Sequence, residues 1–250
     1  MIKGIIFDYG ATLDTNGRHW AHVLWEAYQH AEIPVEWEEF KEAYVYGERA
    51  LAKSPIVVPN DTFKEVLRKK ITEEFRFLRD NALWCVSQEE VCAKLDVAVS
   101  YAYEYALNHI KESKQVLSRL NKHYPLVLVS NFYGNIHSVL NEFELSCYFC
   151  KVVESAVVGV RKPDPTIFKL AIEHLGIHPE EAFVVGDSYT KDIIPSQSLG
   201  CQTIWIKGEG WDSSDSETSD AASFVVYNIN EVEQTINNFI LETSCVSNKV

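Results

Sequence analysis

The sequence predicts a doubly wound α/β fold with a mostly parallel sheet and a helical subdomain inserted after the first strand. Three observations lead to this prediction. Six short, nearly continuous apolar runs are typical of buried parallel strands. Helical patterns separate the later runs, so strand and helix alternate. A long segment after the first run has almost no strand pattern. The six runs are GIIFDYG, PLVLVSN, KVVESAVVG, AFVVGDS, QTIWIKG and SFVVYNI.

The long helical segment directly follows the first apolar run. Between Thr15 and about Asn121, apolar residues recur at helical spacing, as in WEEFKEAYVYGERALA and DTFKEVLRKKITEEFRFL. We therefore assign residues 15–105 to an inserted α-helical subdomain. Residues 1–14 and 106–243 are assigned to a Rossmann-like α/β core.

The second half of the chain continues the alternation of strands and helices. NIHSVLNEFEL and PTIFKLAIEHLG carry apolar residues at helical spacing, and Gly176 closes the second pattern. The acidic, serine-rich stretch 208–223 is typical of a solvated loop. We expect residues 244–250 to form a flexible tail.

Composition and charge exclude several classes of partner. The chain has 250 residues, of which 46% are hydrophobic, and a formal net charge of −13. This acidity argues against binding to nucleic acids and to anionic membrane surfaces, which both require basic patches. The sequence has no apolar run of transmembrane length, and MIKGIIFDYG meets a charged residue too early for a signal peptide. We expect a cytoplasmic protein, either a monomer or a weak homodimer.

Polar side chains follow several apolar runs where the predicted strands end. In open α/β sheets, ligands bind at that edge. Each motif is weak alone, but four motifs in this order favour one shared site. The side chains are Asp8 in FDYGATLD, Ser130 and Asn131 in VSN, Lys162 in RKPDP, and Asp187 and Asp192 in GDSYTKD.

This set of side chains suits phosphoryl chemistry. A buried aspartate such as Asp8 is able to attack phosphorus, as in aspartyl-phosphate enzymes. Mg²⁺ prefers oxygen ligands, which Asp8, Asp187 and a carbonyl near Gly10 supply. Asp192 is suited to orient Lys162 or a metal-bound water. The remaining phosphoryl oxygens suit hydroxyl, amide and ammonium donors, here Ser130, Asn131 and Lys162.

The four motifs resemble those of the haloacid dehalogenase-like (HAD) hydrolase superfamily, over about residues 1–240. The helical insertion looks like that family's cap domain. The resemblance implies a Mg²⁺-dependent hydrolase with Asp8 as nucleophile and catalytic roles for Lys162 and Ser130. It also places the metal on Asp8, Gly10, Asp187 and Asp192, and the substrate on Thr12, Ser130, Asn131 and Lys162.

The residue two positions after Asp8 departs from the family pattern. Phosphatases of this family usually have an aspartate there, which protonates the leaving oxygen and then activates water. This chain has Gly10. General acid–base catalysis typically contributes ~10²–10⁴-fold. We therefore expect slow turnover and a preference for leaving groups that need no proton.

Gly10 leaves several interpretations open. 2-Haloacid dehalogenases lack the acid but also lack the metal-binding aspartate, whereas Asp187 is present. Phosphonatases lack the acid and need a cap lysine, for which Lys53 is a candidate. A phosphatase with a substrate-supplied proton, or with Arg18 or His19 as donor, is the third interpretation. A non-catalytic protein that binds a phosphate ligand is the fourth. We favour a phosphatase that acts on a small phosphorylated metabolite.

Overall fold

The computed structural model describes residues 1–53, 55–211 and 222–247. These residues form one six-stranded parallel sheet with the order β3-β2-β1-β4-β5-β6. The strands are β1 Gly4–Phe7, β2 Leu126–Ser130, β3 Phe149–Glu154, β4 Ala182–Gly186, β5 Gln202–Ile206 and β6 Phe224–Val226. The predicted α/β fold class is confirmed.

The described residues also contain nine α-helices. Short turns of other helical types accompany them, including a π-turn at Tyr189–Ile193. The helices are α1 Trp20–His30, α2 Trp37–Lys53, α3 Phe63–Asp80, α4 Gln88–Leu120, α5 Ile136–Glu142, α6 Ser155–Val158, α7 Thr166–Leu175, α8 Ile194–Ser198 and α9 Val232–Ser247.

The central strands explain the unbroken apolar runs. β1 lies between β2 and β4, so that Ile5 pairs with Leu126 on one side and Phe183 on the other. All three side chains are fully buried. A parallel strand covered on both faces has no solvent side, which removes the alternation of polar and apolar residues.

The predicted third strand is shorter than its apolar run. Within KVVESAVVG, β3 ends at Glu154, and the next four residues form α6 instead of more strand. Gly159, with φ 74°, ends this helix in the left-handed conformation that glycine adopts most readily. Val157 is 71% exposed, so these apolar side chains do not belong to a strand core.

The chain divides into two compact units. The first comprises residues 1–19, 109–132 and 145–250, and contains the sheet. The second comprises residues 20–108 and 133–144, and is helical.

The second unit includes residues 133–144, which the sequence predicts as part of the core. Hydrogen bonds within the unit explain this placement. Asn135 donates from its amide to the Asp61 carbonyl at 2.9 Å. The Phe63 backbone N–H donates to the Glu142 carboxylate at 2.5 Å. Such pairings across a long sequence separation carry no local sequence pattern.

The helical unit contains a fully buried carboxyl group on α3. Glu74 accepts a hydrogen bond at 2.9 Å from the Tyr28 hydroxyl on α1. Burial raises the pKa of Glu74 to about 7, although the nearby Lys70 charge opposes the shift. On α2, a Cβ at Gly47 would lie 2.8 Å from Glu74 Cγ, so the absence of a side chain there makes room for the carboxyl group.

Two sequence predictions fall partly outside the described residues. Of the predicted loop 208–223, residues 212–221 lie outside them. Helix α9 continues through Ser247, beyond the predicted start of the tail at residue 244, and residues 248–250 are not described. In the described part of the chain, no helix combines the length and apolarity needed to cross a bilayer.

Candidate active site

The predicted site lies where β1 and β4 end. The strand that follows β1 in the chain, β2, lies on one side of it in the sheet, whereas the strand that follows β4, β5, lies on the opposite side. The carboxyl ends of β1 and β4 are therefore the topological switch point of the sheet. Asp8 follows β1 and is anchored by its backbone N–H, which donates to the Val185 carbonyl at 2.9 Å. Asp187 follows β4. Carboxylate oxygens of Asp8, Asp187 and Asp192 all lie within 4.8 Å of one another.

Lys162 joins two of these carboxylates. Its Nζ donates to Asp8 Oδ1 and, at 2.6 Å, to Asp192 Oδ1. All three side chains are at most 6% exposed. Burial alone would lower the pKa of Lys162, but the charges of Asp192 and Asp8 outweigh it and raise that pKa above its ordinary value. Lys162 is therefore an ammonium ion at neutral pH.

The hydroxyl of Thr12 connects the two strand ends. Its Oγ1 is placed to donate to Asp8 Oδ2 at 3.0 Å and to Asp187 Oδ1 at 3.2 Å. The same oxygen accepts a hydrogen bond from the Asp187 backbone N–H at 3.0 Å. One hydroxyl proton is thus shared between two carboxylates. Thr12 is fully buried and steadies both acids. The resemblance implies that Thr12 steadies the loop of the nucleophile, and it also places Thr12 at the substrate. The observed contacts of Thr12 are with the carboxylates.

The sequence predicts that the Asn131 side chain contacts the substrate phosphate. In the structure, this side chain forms hydrogen bonds with the Lys162 backbone. Its Nδ2 donates to the Lys162 carbonyl at 3.0 Å, and its Oδ1 accepts the Lys162 backbone N–H at 2.9 Å. This paired contact fixes the Lys162 backbone. Ser130, the last residue of β2, is 2% exposed and pairs in register with Glu154 of β3.

The electrostatics of the cluster favour a cation. Burial, followed by the charges of Asp8 and Asp192, raises the pKa of Asp187 well above its ordinary range. Burial also raises the pKa of Asp192 to about 6, against the opposing charge of Lys162. One ammonium faces two buried carboxylates and the half-buried carboxylate of Asp187, and a divalent cation with oxygen ligands would relieve their repulsion. The residues present therefore fit Mg²⁺.

The two carboxylates of the fourth motif differ in their hydrogen bonds. Both oxygens of Asp192 accept one: Oδ1 from Lys162, and Oδ2 from the Ser188 backbone N–H at 3.1 Å. Asp187 accepts from Thr12 at Oδ1. Asp192 thus contacts the Lys162 side chain, which it is predicted to orient.

Gly10 lies beside this cluster in a loop with room for a side chain. A Cβ built at Gly10 would meet no described atom within 4 Å. Its φ also lies outside the left-handed region. Neither backbone conformation nor crowding therefore requires a glycine at this position.

Sequence reasoning did not identify two residues that shape the site. At Gly186, the end of β4, a Cβ would lie 2.5 Å from Asp192 Cβ, so a side chain there would displace Asp192. The only indication of this role in the sequence is that Gly186 directly precedes Asp187 in VVGDS. Trp205 Nε1 in β5 donates to the Asp187 carbonyl at 2.7 Å, a contact without any local sequence signal.

The two candidate proton donors contact other residues, and the candidate Schiff-base lysine lies in the helical unit. Arg18 Nε donates to Glu209 Oε2 at 2.7 Å. The His19 ring lies 5.2 Å from the Trp211 ring, between centroids. Lys53 is the exposed last residue of α2 in the helical unit.

Curated relatives match only part of the chain. A glyceraldehyde 3-phosphate phosphatase from Pyrococcus furiosus is 37% identical over 83 residues, which cover 33% of this chain and 35% of the relative. A phosphoserine phosphatase from Thermus thermophilus is 39% identical over 62 residues, 25% of each chain. The matches thus span about a third or less of these relatives' own lengths.

A solved structure has the same fold over nearly its whole length. The HAD-hydrolase YfnB from Bacillus subtilis, bound to magnesium, aligns with a TM-score of 0.57 at 17% identity. The alignment covers 94% of this chain and 99% of that one. The family model described as haloacid dehalogenase-like hydrolase matches residues 2–200, which include all four motifs. This chain belongs to the haloacid dehalogenase-like hydrolase family, as the four motifs predict.

Proposed function

We propose that this protein is a Mg²⁺-dependent phosphatase that hydrolyses a small phosphorylated metabolite through an aspartyl-phosphate intermediate. The observation that carries the proposal is the buried Asp8 carboxylate, held between Lys162 and Thr12 at the switch point of the sheet. The two relatives named above as phosphatases support the same class of substrate. Cytoplasmic location and a monomeric or weakly dimeric state stay predictions from the sequence.

Each residue of the cluster has a defined task in this reaction. An Asp8 oxygen forms a bond to phosphorus while the ester P–O bond breaks. Water then hydrolyses the acyl phosphate, which releases inorganic phosphate and restores Asp8. Lys162 places a positive charge beside the nucleophile. This charge stabilises the negative charge on the phosphoryl oxygens during transfer of the phosphoryl group to Asp8. Asp192 and Asn131 hold Lys162 from its side chain and its backbone.

The metal would be held by oxygen atoms of this cluster. We propose Asp8, Asp187 and the Gly10 carbonyl as its ligands, with Asp192 at the edge of the site. When bound, Mg²⁺ supplies charge neutralisation between the carboxylates and the substrate phosphate. The Ser130 hydroxyl, at the end of the adjacent strand, is proposed to donate to a phosphoryl oxygen.

The open space at Gly10 defines which substrates suit the site. Without an acid at this position, the leaving oxygen receives no proton from residue 10. A loss of ~10²–10⁴-fold is typical when general acid–base catalysis is absent. The enzyme should therefore favour esters with a stable leaving anion over alkyl phosphates. Comparable rates on both would contradict the proposal and indicate another acid.

The other reactions of the family suit this site less well. The three-carboxylate cluster argues against halide release, which needs no metal. Phosphonate cleavage would need a Schiff-base lysine, and Lys53 is an exposed terminal helix residue. A phosphate-binding role alone would not require a buried nucleophile held by Lys162.

The test is phosphate release from p-nitrophenyl phosphate, with Mg²⁺ or with EDTA. Wild type, Asp8→Asn and Asp96→Asn would be compared. The matched control Asp96 is an exposed carboxylate on α4 paired with Arg68. We expect release by wild type and by the control, only with Mg²⁺, and none by Asp8→Asn. No release by folded, Mg²⁺-loaded wild type would overturn the phosphatase assignment.

A further inference from the structure

The residue after Gly10 has a backbone conformation that its side chain disfavours. Ala11 has φ 66°, in the left-handed region. Residues other than glycine rarely adopt this conformation because Cβ crowds the following carbonyl oxygen. Ala11 is only 5% exposed, in the loop that follows the proposed nucleophile. Such a conformation persists where the surrounding structure holds it.

Hydrogen bonds within the loop hold both peptide groups of Ala11. Its N–H donates to Asp14 Oδ1 at 2.7 Å, and the Asp14 side chain is buried, with 1% of the residue exposed. Its carbonyl accepts the Gly17 N–H at 2.6 Å and the Thr15 hydroxyl at 3.3 Å. Asp14 is therefore the carboxylate that holds the N–H side of this turn.

The Ala11 N–H and the Gly10 carbonyl belong to the same peptide plane. In a trans peptide, these two groups point in opposite directions. An acceptor that binds the Ala11 N–H therefore also sets the direction of the Gly10 carbonyl. The Ala11 N–H points towards the Asp14 carboxylate, so the Gly10 carbonyl oxygen points away from Asp14.

We propose that Asp14 is a positioning residue, which directs the Gly10 carbonyl to the carboxylate cluster as a metal ligand. In this role Asp14 acts through the Gly10–Ala11 peptide and is not itself a ligand of the metal or the substrate. The inference rests on the proposed function, because it concerns the ligand set of the proposed Mg²⁺ site. It assigns a role to an acid outside that ligand set.

The test is isothermal titration of the protein with MgCl₂, which needs no substrate. Asp14→Ala removes the acceptor of the Ala11 N–H and should raise the Mg²⁺ Kd about 10-fold. This is the lower end of the roughly 10–100-fold loss of metal affinity that is typical when a residue that orients a metal ligand is removed. Glycine adopts the left-handed turn without help. The same removal in an Ala11→Gly background should therefore raise Kd less than about 3-fold. That difference shows that Asp14 acts through Ala11.

A matched control is available in the helical unit. Asp61 Oδ2 accepts the Val58 backbone N–H at 2.7 Å, with the same separation of three residues as Asp14 and Ala11. Asp61→Ala should lower the melting temperature but leave the Mg²⁺ Kd within about 2-fold of wild type. A purely structural role for Asp14 would give the same pattern for Asp14→Ala.

Each outcome decides the inference. An unchanged Kd in folded Asp14→Ala, or equal losses in both backgrounds, overturns it. If Asp14→Ala does not fold, the test uses only the proteins that carry Ala11→Gly, with and without Asp14→Ala. A 10-fold rise of the Mg²⁺ Kd on adding Asp14→Ala to Ala11→Gly would overturn the inference. A wild type that binds no Mg²⁺ overturns both this inference and the proposed function. If wild type binds Mg²⁺ but releases no phosphate, the proposed function fails, while the comparison of backgrounds still tests Asp14.

Discussion

The Asn131 side chain and the Lys162 backbone form two hydrogen bonds with each other. The amide donates to the Lys162 carbonyl and accepts the Lys162 N–H, at 3.0 and 2.9 Å. This pair connects the end of β2 to the loop that carries the ammonium group. The position of Lys162 Nζ near Asp8 therefore depends on an amide 31 residues earlier in the chain.

Asn131→Ala should lower kcat by on the order of 10²-fold, because a small displacement of a catalytic group has effects of this size. We expect a smaller change in KM. The measurement is steady-state kinetics with p-nitrophenyl phosphate. Asn135→Ala is the matched control, since this buried amide donates to the Asp61 carbonyl in the helical unit. An equal loss of kcat in both variants would contradict a specific role for Asn131.

Gly10→Asp should raise kcat/KM for an alkyl phosphate by at least ~10-fold, towards the ~10²–10⁴-fold that general acid catalysis contributes. The backbone tolerates the change, because a Cβ there meets no described atom within 4 Å. Rates on p-nitrophenyl phosphate should change less, since its leaving group needs no proton. Gly10→Asn is the isosteric control without an acid. A similar gain in Gly10→Asn would refute the general-acid explanation.

Gly186→Ala should reduce both stability and kcat. The added Cβ would lie 2.5 Å from Asp192 Cβ, and the displaced Asp192 would release Lys162. Overpacking of a buried site typically costs about 1–3 kcal/mol. The control is Gly4→Ala in β1, whose Cβ would meet the mobile end of the Leu175 side chain at 2.8 Å. Chemical denaturation and kinetics should show lost stability in both variants, but a large loss of kcat only in Gly186→Ala.

Glu74 should make stability decrease as pH rises. Its folded-state pKa, about 7, lies above the ordinary value of 4.5 because burial disfavours the charged form. Folding therefore favours the protonated acid. The resulting stability is complete below pH 4.5 and is lost as pH rises through 7, by on the order of 3 kcal/mol.

Glu74→Gln should remove most of this pH dependence. The glutamine oxygen is still able to accept the Tyr28 hydroxyl proton, and it carries no charge at any pH. The measurement is the free energy of unfolding in urea at pH 5 and at pH 8.5. Equal pH dependence in wild type and variant would show that Glu74 does not titrate in this range.

The sequence alone determined the sheet and the grouping of the motifs. Apolar runs identified all six strands, and the runs are most continuous in β1, β2 and β4, whose residues are all buried. Parallel strands end at the same edge, so residues that follow them meet there. This reasoning correctly grouped Asp8 and Asp187 at the carboxyl ends of neighbouring strands. The family followed from the same motifs.

Only the tertiary structure decided how those residues contact one another. Strand order and register placed Trp205 against the Asp187 carbonyl and required a glycine at position 186 beside Asp192. The Asn131 amide binds a backbone 31 residues away, and Asp14 holds a left-handed alanine. Local patterns report periodicity and propensity, which depend on neighbouring residues. Hydrogen bonds between distant segments depend on distances of a few ångströms, and only the packed chain sets those distances.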